Sequence, residues 1–466
     1  MGTPRQKVIL LEMNEISMQL LRHYVDDGHL PNFRRLLDAH GCSRTESETA
    51  HANVNPWIQW VTAHTGLEYS EHGVFRMGDV VKTDLPHIWD RLEAQGAKVA
   101  ALSPFNSLNR CQQPSFFVPD PWTETGFVGA WDMRLLYQAL NQVADDYANE
   151  RISIGSILRL AAAALVNIQW RNLFAYLRDT LSYLRGRRWS RALVCDRLLV
   201  DVFIRHWRRE RPDYASLCLN GGAHIQHHYM LNSPYYRGPR RNPDWYVGTD
   251  QDPLLEVYQL YDELIADLLR LNEQGGRLII ATGLAQAFHE RHSLYYRMDR
   301  HEEVLNALGI PFQRIHPLMT EDFVVECATA EAALECQRML ESTRAGVDDL
   351  FYVDNADVEV RRTITSDRVF YVDNRGADLY VQLLPTAREL PENLLLTCGA
   401  RKLPSFEQYV SFVQVKNGHH VGTGFFIDTG RRAGEMPPQF RLSRLPDLLE
   451  QTVMNGDYEP EALRVA

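Results

Sequence analysis

The sequence lacks the features that mark secreted and nucleic-acid-binding proteins. Its seven cysteines are an odd number, they are scattered over 466 residues, and no two form a CxxC pair. This usage indicates reduced thiols, as in a cytoplasmic protein, rather than a disulfide framework. The amino terminus has no signal-peptide pattern. The formal net charge of −11 gives no overall positive field, so we expect no nucleic-acid partner.

Long apolar runs, internal repeats and low-complexity segments are also absent. The longest interior apolar stretch, ILRLAAAALVNIQW, is interrupted by Arg159 and Asn167, and it is too short and too polar to span a bilayer. A hydrophobic content of 45% with 23% charged residues is typical of a globular protein. A chain of 466 residues exceeds the usual size of one compact core, which predicts two domains or a core with large insertions.

Apolar strand patterns alternate with amphipathic helix patterns along much of the chain. KVILLEM, YASLCL and RLIIATG have the composition of buried strands, and SMQLLRHYVDDG and PLLEVYQLYDELIADLLRLN have helical spacing. This alternation predicts an α/β fold with a mostly parallel sheet sandwiched by helices. Ligands of such sheets gather at the carboxyl ends of the strands, where EMNE, GGAHIQHH and TGLAQ are expected to lie.

Two segments interrupt the alternation. Residues 131–210 form a predicted helical insertion, and residues 301–395 a predicted small α+β insertion that acts as a cap. The core is then assigned to 1–130, 211–300 and 396–430, followed by a tail at 431–466.

The helical insertion is strongly basic. Between residues 151 and 211 there are 13 arginines and four acidic residues. This surplus indicates either a solvated helical cap whose arginines pair with acids elsewhere, or a docking surface for a membrane face or an anionic substrate. The second interpretation predicts a cytoplasmic protein that contacts the membrane peripherally.

Four stretches follow one another in a characteristic order. They are VILLEMNE with GHLPN, NVNPWIQWVTAHTG with EHG, AHIQH, and GHHVGTG. Together they resemble the alkaline phosphatase superfamily, in particular its type I phosphodiesterase and nucleotide pyrophosphatase-like branch. The resemblance covers roughly 5–130, 211–290 and 396–430, and it implies an alkaline phosphatase-like core that processes phosphate or sulfate esters.

Enzymes of that superfamily hold two divalent metals, usually zinc, with three aspartates, three histidines and a Thr or Ser nucleophile. In this chain Glu12 stands for the first aspartate, and Asn55 or Pro56 stands at the nucleophile position. Ala223 replaces the aspartate of the D-x-x-x-H pair. TGLAQ, which ends at Gln286, replaces the stretch that holds a further aspartate and histidine. Because two adjacent metals need several carboxylates to neutralise them, the resemblance implies at most one metal.

The remaining histidines predict a mononuclear site. His224, His227 and His420, with Glu12 or a water, form a ligand set compatible with one divalent metal, most simply zinc. His228 is expected to face another direction and to serve as a contact to a ligand or to the substrate. The alternative is that no metal binds and that these histidines hydrogen-bond around a polar cleft.

The catalytic predictions are Glu12, Asn55, His228 and Gln286. Glu12 is the candidate ligand or general base. Asn55 either caps the helix that begins at Pro56 or, with the helix amides, binds an oxyanion. The amide of Gln286 takes the place of missing ligands as a substrate contact. Glu15 is expected to cap a helix or face solvent.

The function that follows is hydrolysis or transfer of a phosphate or sulfate ester. Water or a substrate hydroxyl would attack, since the Thr nucleophile is missing, and the substrate would be an anionic small molecule or a lipid- or saccharide-linked one. A catalytically silent relative that binds an anionic ligand or partner is the first alternative. An enzyme of different chemistry on the same fold is the second.

Overall fold

The computed structural model describes residues 5–48, 54–145, 153–289, 293–318, 321–352 and 367–463. The chain divides into two compact units. The first comprises Met1–Gln142, Ser153–Phe288 and Gly418–Ala466, and the second comprises Val143–Ile152 and His289–Asn417.

The described residues form strands and helices in the alternating order that the sequence indicates. The strands are β1 (Lys7–Met13), β2 (Ser43–Glu46), β3 (Val99–Leu102), β4 (Phe116–Val118), β5 (Tyr214–Leu219), β6 (Gly276–Ala281), β7 (Ala285–Phe288), β8 (Leu294–Met298), β9 (Arg314–Pro317), β10 (Asp322–Glu326), β11 (Arg344–Ala345), β12 (Phe370–Asn374), β13 (Asp378–Leu383), β14 (Leu396–Cys398), β15 (Arg401–Leu403), β16 (Val410–Val415), β17 (Gly418–Val421), β18 (Thr423–Asp428) and β19 (Gln439–Arg441). The helices are α1 (Met18–Asp26), α2 (Pro31–His40), α3 (Pro56–Thr65), α4 (Tyr69–His72), α5 (Ile88–Ala94), α6 (Trp131–Asp145), α7 (Ile154–Asn167), α8 (Leu173–Leu184), α9 (Ser190–Glu210), α10 (Gly221–Tyr229), α11 (Pro253–Asn272), α12 (His301–Ala307), α13 (Ala330–Ser342) and α14 (Leu445–Asn455).

The first unit is built on an eight-stranded sheet with the order β19-β2-β18-β6-β1-β5-β3-β4. β1 lies between β5 and β6 and is parallel to both, while β18 is antiparallel to its neighbours. Helices cover both faces of this sheet, as the buried strands require. The predicted fold class, an α/β fold with a mostly parallel sheet, a helical insertion and a small α+β part, is thereby confirmed.

The two faces of β1 contact different sets of helices because side chains alternate along a strand. Ile9, Leu11 and Met13 belong to the apolar cluster that includes residues of α1, α9, α10 and α11. Val8 and Leu10 belong to the cluster that includes residues of α3, α5 and α14. The side chain at position 12 therefore shares a face with α3.

The second unit has its own apolar core and antiparallel sheets. Its largest sheet has four strands in the order β12-β13-β10-β9. The stretch EDFVVECATAEAALECQRMLESTR forms β10 followed by α13, as its pattern predicts.

Two further observations concern the cysteines and the helices. All seven cysteines are free. No helix among the described ranges is long and apolar enough to cross a membrane.

Candidate functional site

Three side chains of the first unit converge beyond the end of β1. Nε2 of His227 lies 2.9 Å from Oε2 of Glu15, and Nε2 of His420 lies 3.1 Å from the same oxygen. The two histidine nitrogens are 3.3 Å apart. These residues form the one group of three metal-type donors found in the described part of the chain, with donor atoms within 4.8 Å of one another.

The backbone at Glu15 directs its carboxylate into the site. Glu15 follows β1 by two residues and has φ 59°, a left-handed conformation that is uncommon for a residue with a side chain. Two amide groups hold this turn. Nε2 of Gln226 donates to the carbonyl of Glu15 at 2.7 Å, and the backbone N–H of Gln286 donates to the same carbonyl at 3.2 Å. The turn ends at Ser17, whose side chain caps α1.

His227 is carried by α10, and the start of this helix is fixed by a buried carboxylate. Asp196 of α9 accepts the backbone N–H of Gly221 at 3.0 Å and the Tyr261 hydroxyl at 2.7 Å. The same hydroxyl accepts the N–H of Gly222 at 2.7 Å. A methyl group on Gly222 would overlap Ile16 and Tyr261, so glycine permits the close approach of α10 to the chain segment after β1.

His420 lies on β17, opposite Gln286 on the antiparallel strand β7. Nε2 of Gln286 donates to Oε2 of Glu15 and, at 3.0 Å, to the carbonyl of Ala223. A methyl group at Gly418 would overlap Oε1 of Gln286. The Gln286 amide thus connects β7, α10 and the carboxylate of the cluster.

The electrostatics of the cluster suit a cation. Burial opposes ionisation of Glu15, but the charges of His420 and His227 and their hydrogen bonds hold the pKa of its carboxyl well below its usual range. Glu15 is 3% exposed, whereas the side chains of His227 and His420 are 27% and 17% exposed. Two imidazoles and one carboxylate match the three protein ligands of many catalytic zinc sites, and the solvent-facing side leaves room for a further ligand. The donor set therefore fits one divalent metal.

No protein-family model matches the chain, and no curated protein matches it significantly. Among solved structures, it is similar to the phosphonoacetate hydrolase of Sinorhizobium meliloti 1021 in complex with phosphonoformate, with 13% identity and a TM-score of 0.42 over 97% of this chain and 96% of that one. It is similar to human ectonucleotide pyrophosphatase/phosphodiesterase 5, with 10% identity and a TM-score of 0.41 over 97% of this chain and 95% of that one. At such low identity these matches concern the path of the backbone and not the chemistry of the site.

Glu12 lies outside the three-donor cluster. It is fully buried on the α3 side of β1, where its Oε1 is 3.2 Å from Nε2 of His64. The His64 ring in turn contacts Trp60 and Trp89. Side chains alternate between the two faces of β1, and this alternation places Glu12 on the face that packs against α3.

Glu15 differs from its expected place. From its sequence, Glu15 is expected to cap a helix or face solvent, but it is buried and faces both histidines. The left-handed turn causes this difference. The alternation of side chains between the two faces of the sheet ends with β1, so it cannot predict the direction of a side chain beyond the strand. The signal present in the sequence was its position just after a buried central strand, where ligands of α/β sheets gather.

His224 and His228 form a pair of their own on α10. Their ring centroids are 4.4 Å apart, as expected for residues four apart on a helix, so His228 shares a face with His224. Burial, with Arg191 and His227 nearby, lowers the pKa of His224 to about 3. Burial and the neighbouring His224 also hold the pKa of His228 well below its usual range. Nδ1 of His228 lies 2.9 Å from the Tyr246 hydroxyl.

Asn55 occupies the N-cap position of α3, directly before Pro56. Its side chain does not make the capping hydrogen bond to the first turn of α3. α3 is joined to the end of β1 by other contacts. Nε1 of Trp60 donates to Oδ1 of Asn14 at 2.7 Å, and the Asn14 amide donates to Oε1 of Glu15 at 3.2 Å.

Proposed function

We propose that this protein is a divergent member of the alkaline phosphatase superfamily that hydrolyses or transfers a phosphate or sulfate ester with one divalent metal. The observation that carries the proposal is the convergence of Glu15, His227 and His420 at the end of the central strand. His227 and His420 stand at the positions where the sequence motifs of the superfamily have histidine ligands. Glu15 supplies a carboxylate in place of the motif's aspartate, whose position is occupied by Ala223 in this chain.

The charges around the cluster support one bound metal rather than two. Glu12, the other carboxylate at this end of β1, is fully buried and engaged by His64. Gln286 places a neutral amide against the cluster where the superfamily has an aspartate and a histidine. A second cation would have no further carboxylate in the described cluster to neutralise it.

A divalent metal held by these three residues would act as a Lewis acid that polarises an ester oxygen. Glu15 orients both histidines, and Gln286 orients Glu15 through the amide contact described above. Asn55 cannot form a phospho-enzyme, so the attacking group in this proposal is water or a substrate hydroxyl. The partly exposed histidine side is the face that an anionic substrate reaches.

A second candidate function rests on the same ligand set. Two histidines and one carboxylate with open positions also bind Fe(II) in enzymes of oxidative chemistry. A third candidate is a silent relative that binds an anionic ligand in the cleft. The identity of the bound metal separates these candidates from the first.

The test is the metal content of protein purified without chelator or affinity-tag metal, measured by elemental mass spectrometry. We expect about one zinc per chain in the wild type and a loss of metal in Glu15→Gln, His227→Ala and His420→Ala. His419→Ala, at the neighbouring position of β17, is the matched control and should retain metal. Glu12→Gln should also retain it, because Glu12 lies apart from the cluster.

Activity is measured next with phosphate monoesters, phosphate diesters and sulfate esters. Turnover of one class that disappears in the three metal-free variants supports the proposal. Iron in place of zinc favours the oxidative candidate, and a metal-free wild type that binds phosphate favours the silent one. Undiminished turnover in Glu15→Gln would remove the cluster from the mechanism.

A further inference from the structure

Helix α7 presents an apolar face to solvent. Its large exposed side chains recur at helical spacing on one side: Ile154, Ile157, Leu158 and Leu165. Its buried residues are small or polar: Ser156, Ala163 and Asn167. Leu160 and Ala164 pack, partly buried, against the core. Most of the large apolar side chains of α7 thus face solvent, which inverts the usual arrangement of a surface helix.

Helix α8 has the same inverted arrangement. Its exposed apolar side chains, with the tryptophan that precedes it, are Trp170, Leu173, Phe174, Leu177, Leu181 and Leu184. Trp170 is 88% exposed and Phe174 is 83% exposed. Its buried residues are Tyr176 and Asp179. Contiguous exposed apolar surface of this kind marks an interaction site, whereas single exposed apolar residues are ordinary.

Polar contacts on the inner side hold both helices in this orientation. The Asn167 amide donates to Asp132 at 2.9 Å. The Tyr176 hydroxyl donates to Asp201 at 3.0 Å. If either helix rotated its apolar face inward, these buried carboxylates would lose hydrogen bonds that are costly to leave unmade. These buried hydrogen bonds therefore fix the apolar faces of α7 and α8 toward solvent.

The charge around this face is positive. Of the four acidic residues between 151 and 211, Asp179, Asp196 and Asp201 are buried, so the surface carries little negative charge of its own. Some arginines are neutralised, for example Arg187 by Glu256 at 3.1 Å. Within the described ranges, however, several others have no ion-pair partner.

Arg159 on α7 and Arg185 at the end of α8 are two of these arginines, and both flank the apolar face. A surface that combines exposed Trp, Phe and Leu with unpaired arginines is typical of helices that lie in the interface of an anionic bilayer.

A cavity of about 540 Å³ opens at the junction of α7 and α8. Leu165 and Trp170 line it, together with Arg205 and Arg208. Asp201 in its wall already accepts hydrogen bonds from side chains of the same insertion. Apolar walls beside two guanidinium groups suit a molecule with a hydrocarbon part and an anionic part.

We infer that α7 and α8 dock on the surface of a bilayer that contains anionic phospholipids. The apolar face enters the boundary between headgroups and acyl chains, and the flanking arginines contact lipid phosphates. No membrane-spanning helix is needed for this mode of attachment. A second copy of the chain is the less suitable occupant, because two arginine-rich faces would repel each other across the contact.

The test is flotation of the full-length protein with vesicles of phosphatidylcholine alone and of phosphatidylcholine with an equal amount of phosphatidylglycerol. We expect binding to the anionic vesicles only, and weaker binding at high salt. Trp170→Ser combined with Phe174→Ser and Leu177→Ser should weaken binding at least about tenfold. Arg159→Gln with Arg185→Gln should weaken it by about fivefold for each charge.

Matched controls come from the second unit. Leu334→Ser removes an exposed apolar side chain and Lys402→Gln an exposed charge, and neither should change vesicle binding. Equal binding to neutral and anionic vesicles, or binding to neither, overturns the inference. So does a wild-type dimer that ignores vesicles and dissociates in the triple serine variant. Because the substituted residues are exposed, apart from the half-buried Arg159, circular dichroism should show the variants folded as the wild type.

Discussion

The Nε2 atoms of His227 and His420 lie 3.3 Å apart and both face one oxygen of Glu15. These histidines are 193 positions apart in the sequence and come from a helix and a strand that are not sequential neighbours. Their convergence requires the neighbouring strands β1, β5 and β6 of the central sheet and the β7–β17 pair to be formed. The candidate site is therefore a property of the fold and not of the histidine-rich segment around His227.

Replacing Gln286 by leucine should weaken metal binding without removing a ligand. Its Nε2 group donates to Glu15 and to the carbonyl of Ala223, so its loss frees the carboxylate to rotate. We expect the metal affinity to fall by about 10- to 100-fold, as for other residues that orient ligands. Competition with a chromogenic chelator measures it. Gln382→Leu, in the second unit, is the control, and equal affinities in the two variants would contradict the role of Gln286.

Gly418→Ala should disturb the same contact from the strand side. The added methyl group would overlap Oε1 of Gln286, whose amide is held in place by its hydrogen bonds. We expect a loss of about 1–3 kcal/mol in the free energy of unfolding, measured in urea, together with weaker metal binding. Gly346→Ala, where the methyl group meets only ordinary contacts, should leave both quantities unchanged. Normal metal affinity in Gly418→Ala would show that the amide is free to move.

Tyr261→Phe should destabilise the start of α10. The hydroxyl donates to Asp196 and accepts the N–H of Gly222, so its removal leaves two buried groups short of a partner. We expect the free energy of unfolding to drop by about 1–3 kcal/mol. Tyr183→Phe, at a partly exposed position on α8, should change it by a few tenths at most. Similar unfolding curves for the two variants would argue against this role of the hydroxyl.

His87 should make the protein sensitive to acid. Its Nδ1 lies 3.0 Å from the carbonyl of Leu85 and its Nε2 accepts the N–H of Leu108 at 3.3 Å, an arrangement that requires a neutral ring. Burial, with the nearby His64, lowers the pKa of His87 to about 3. The unfolded chain then binds one more proton than the folded chain between about pH 3 and 6.5, so stability is lost as the pH falls through that window.

The measurement is urea unfolding at several pH values in wild type and His87→Asn. The dependence of the unfolding free energy on pH should become shallower in the variant by up to about 1.4 kcal/mol per pH unit within that window. His72 and His301, whose pKa values burial lowers to about 4, continue to contribute in both proteins. Parallel pH profiles would show that His87 does not titrate on unfolding.

Much of the fold was predictable because hydrophobic periodicity is a local property. KVILLEM, YASLCL and RLIIATG form β1, β5 and β6, which are neighbours in the sheet, and the long helix pattern beginning at Pro253 forms α11. The sequence also pairs His227 with His420, because both stand in motifs that resemble those of a known superfamily. The structure places them in contact.

The remaining features depend on information that periodicity does not contain. A left-handed turn sets the direction of the Glu15 side chain, and a glutamate in the sequence does not predict such a turn. The orientations of α7 and α8 are a second case. Their apolar spacing predicts helices, but the contacts of Asn167 on α7 with Asp132 and of Tyr176 on α8 with Asp201 decide that the apolar sides face outward.

The left-handed backbone at Glu15 has a consequence for how this position tolerates change. A residue with a Cβ atom in that conformation costs roughly 1–2 kcal/mol relative to a relaxed one, and glycine or asparagine would relieve much of this cost. Neither substitute brings a carboxylate to His227 and His420. A redesign guided by stability alone would therefore choose to replace the residue on which the candidate centre depends. At position 15, therefore, a gain in folding stability and the retention of the carboxylate ligand require different residues.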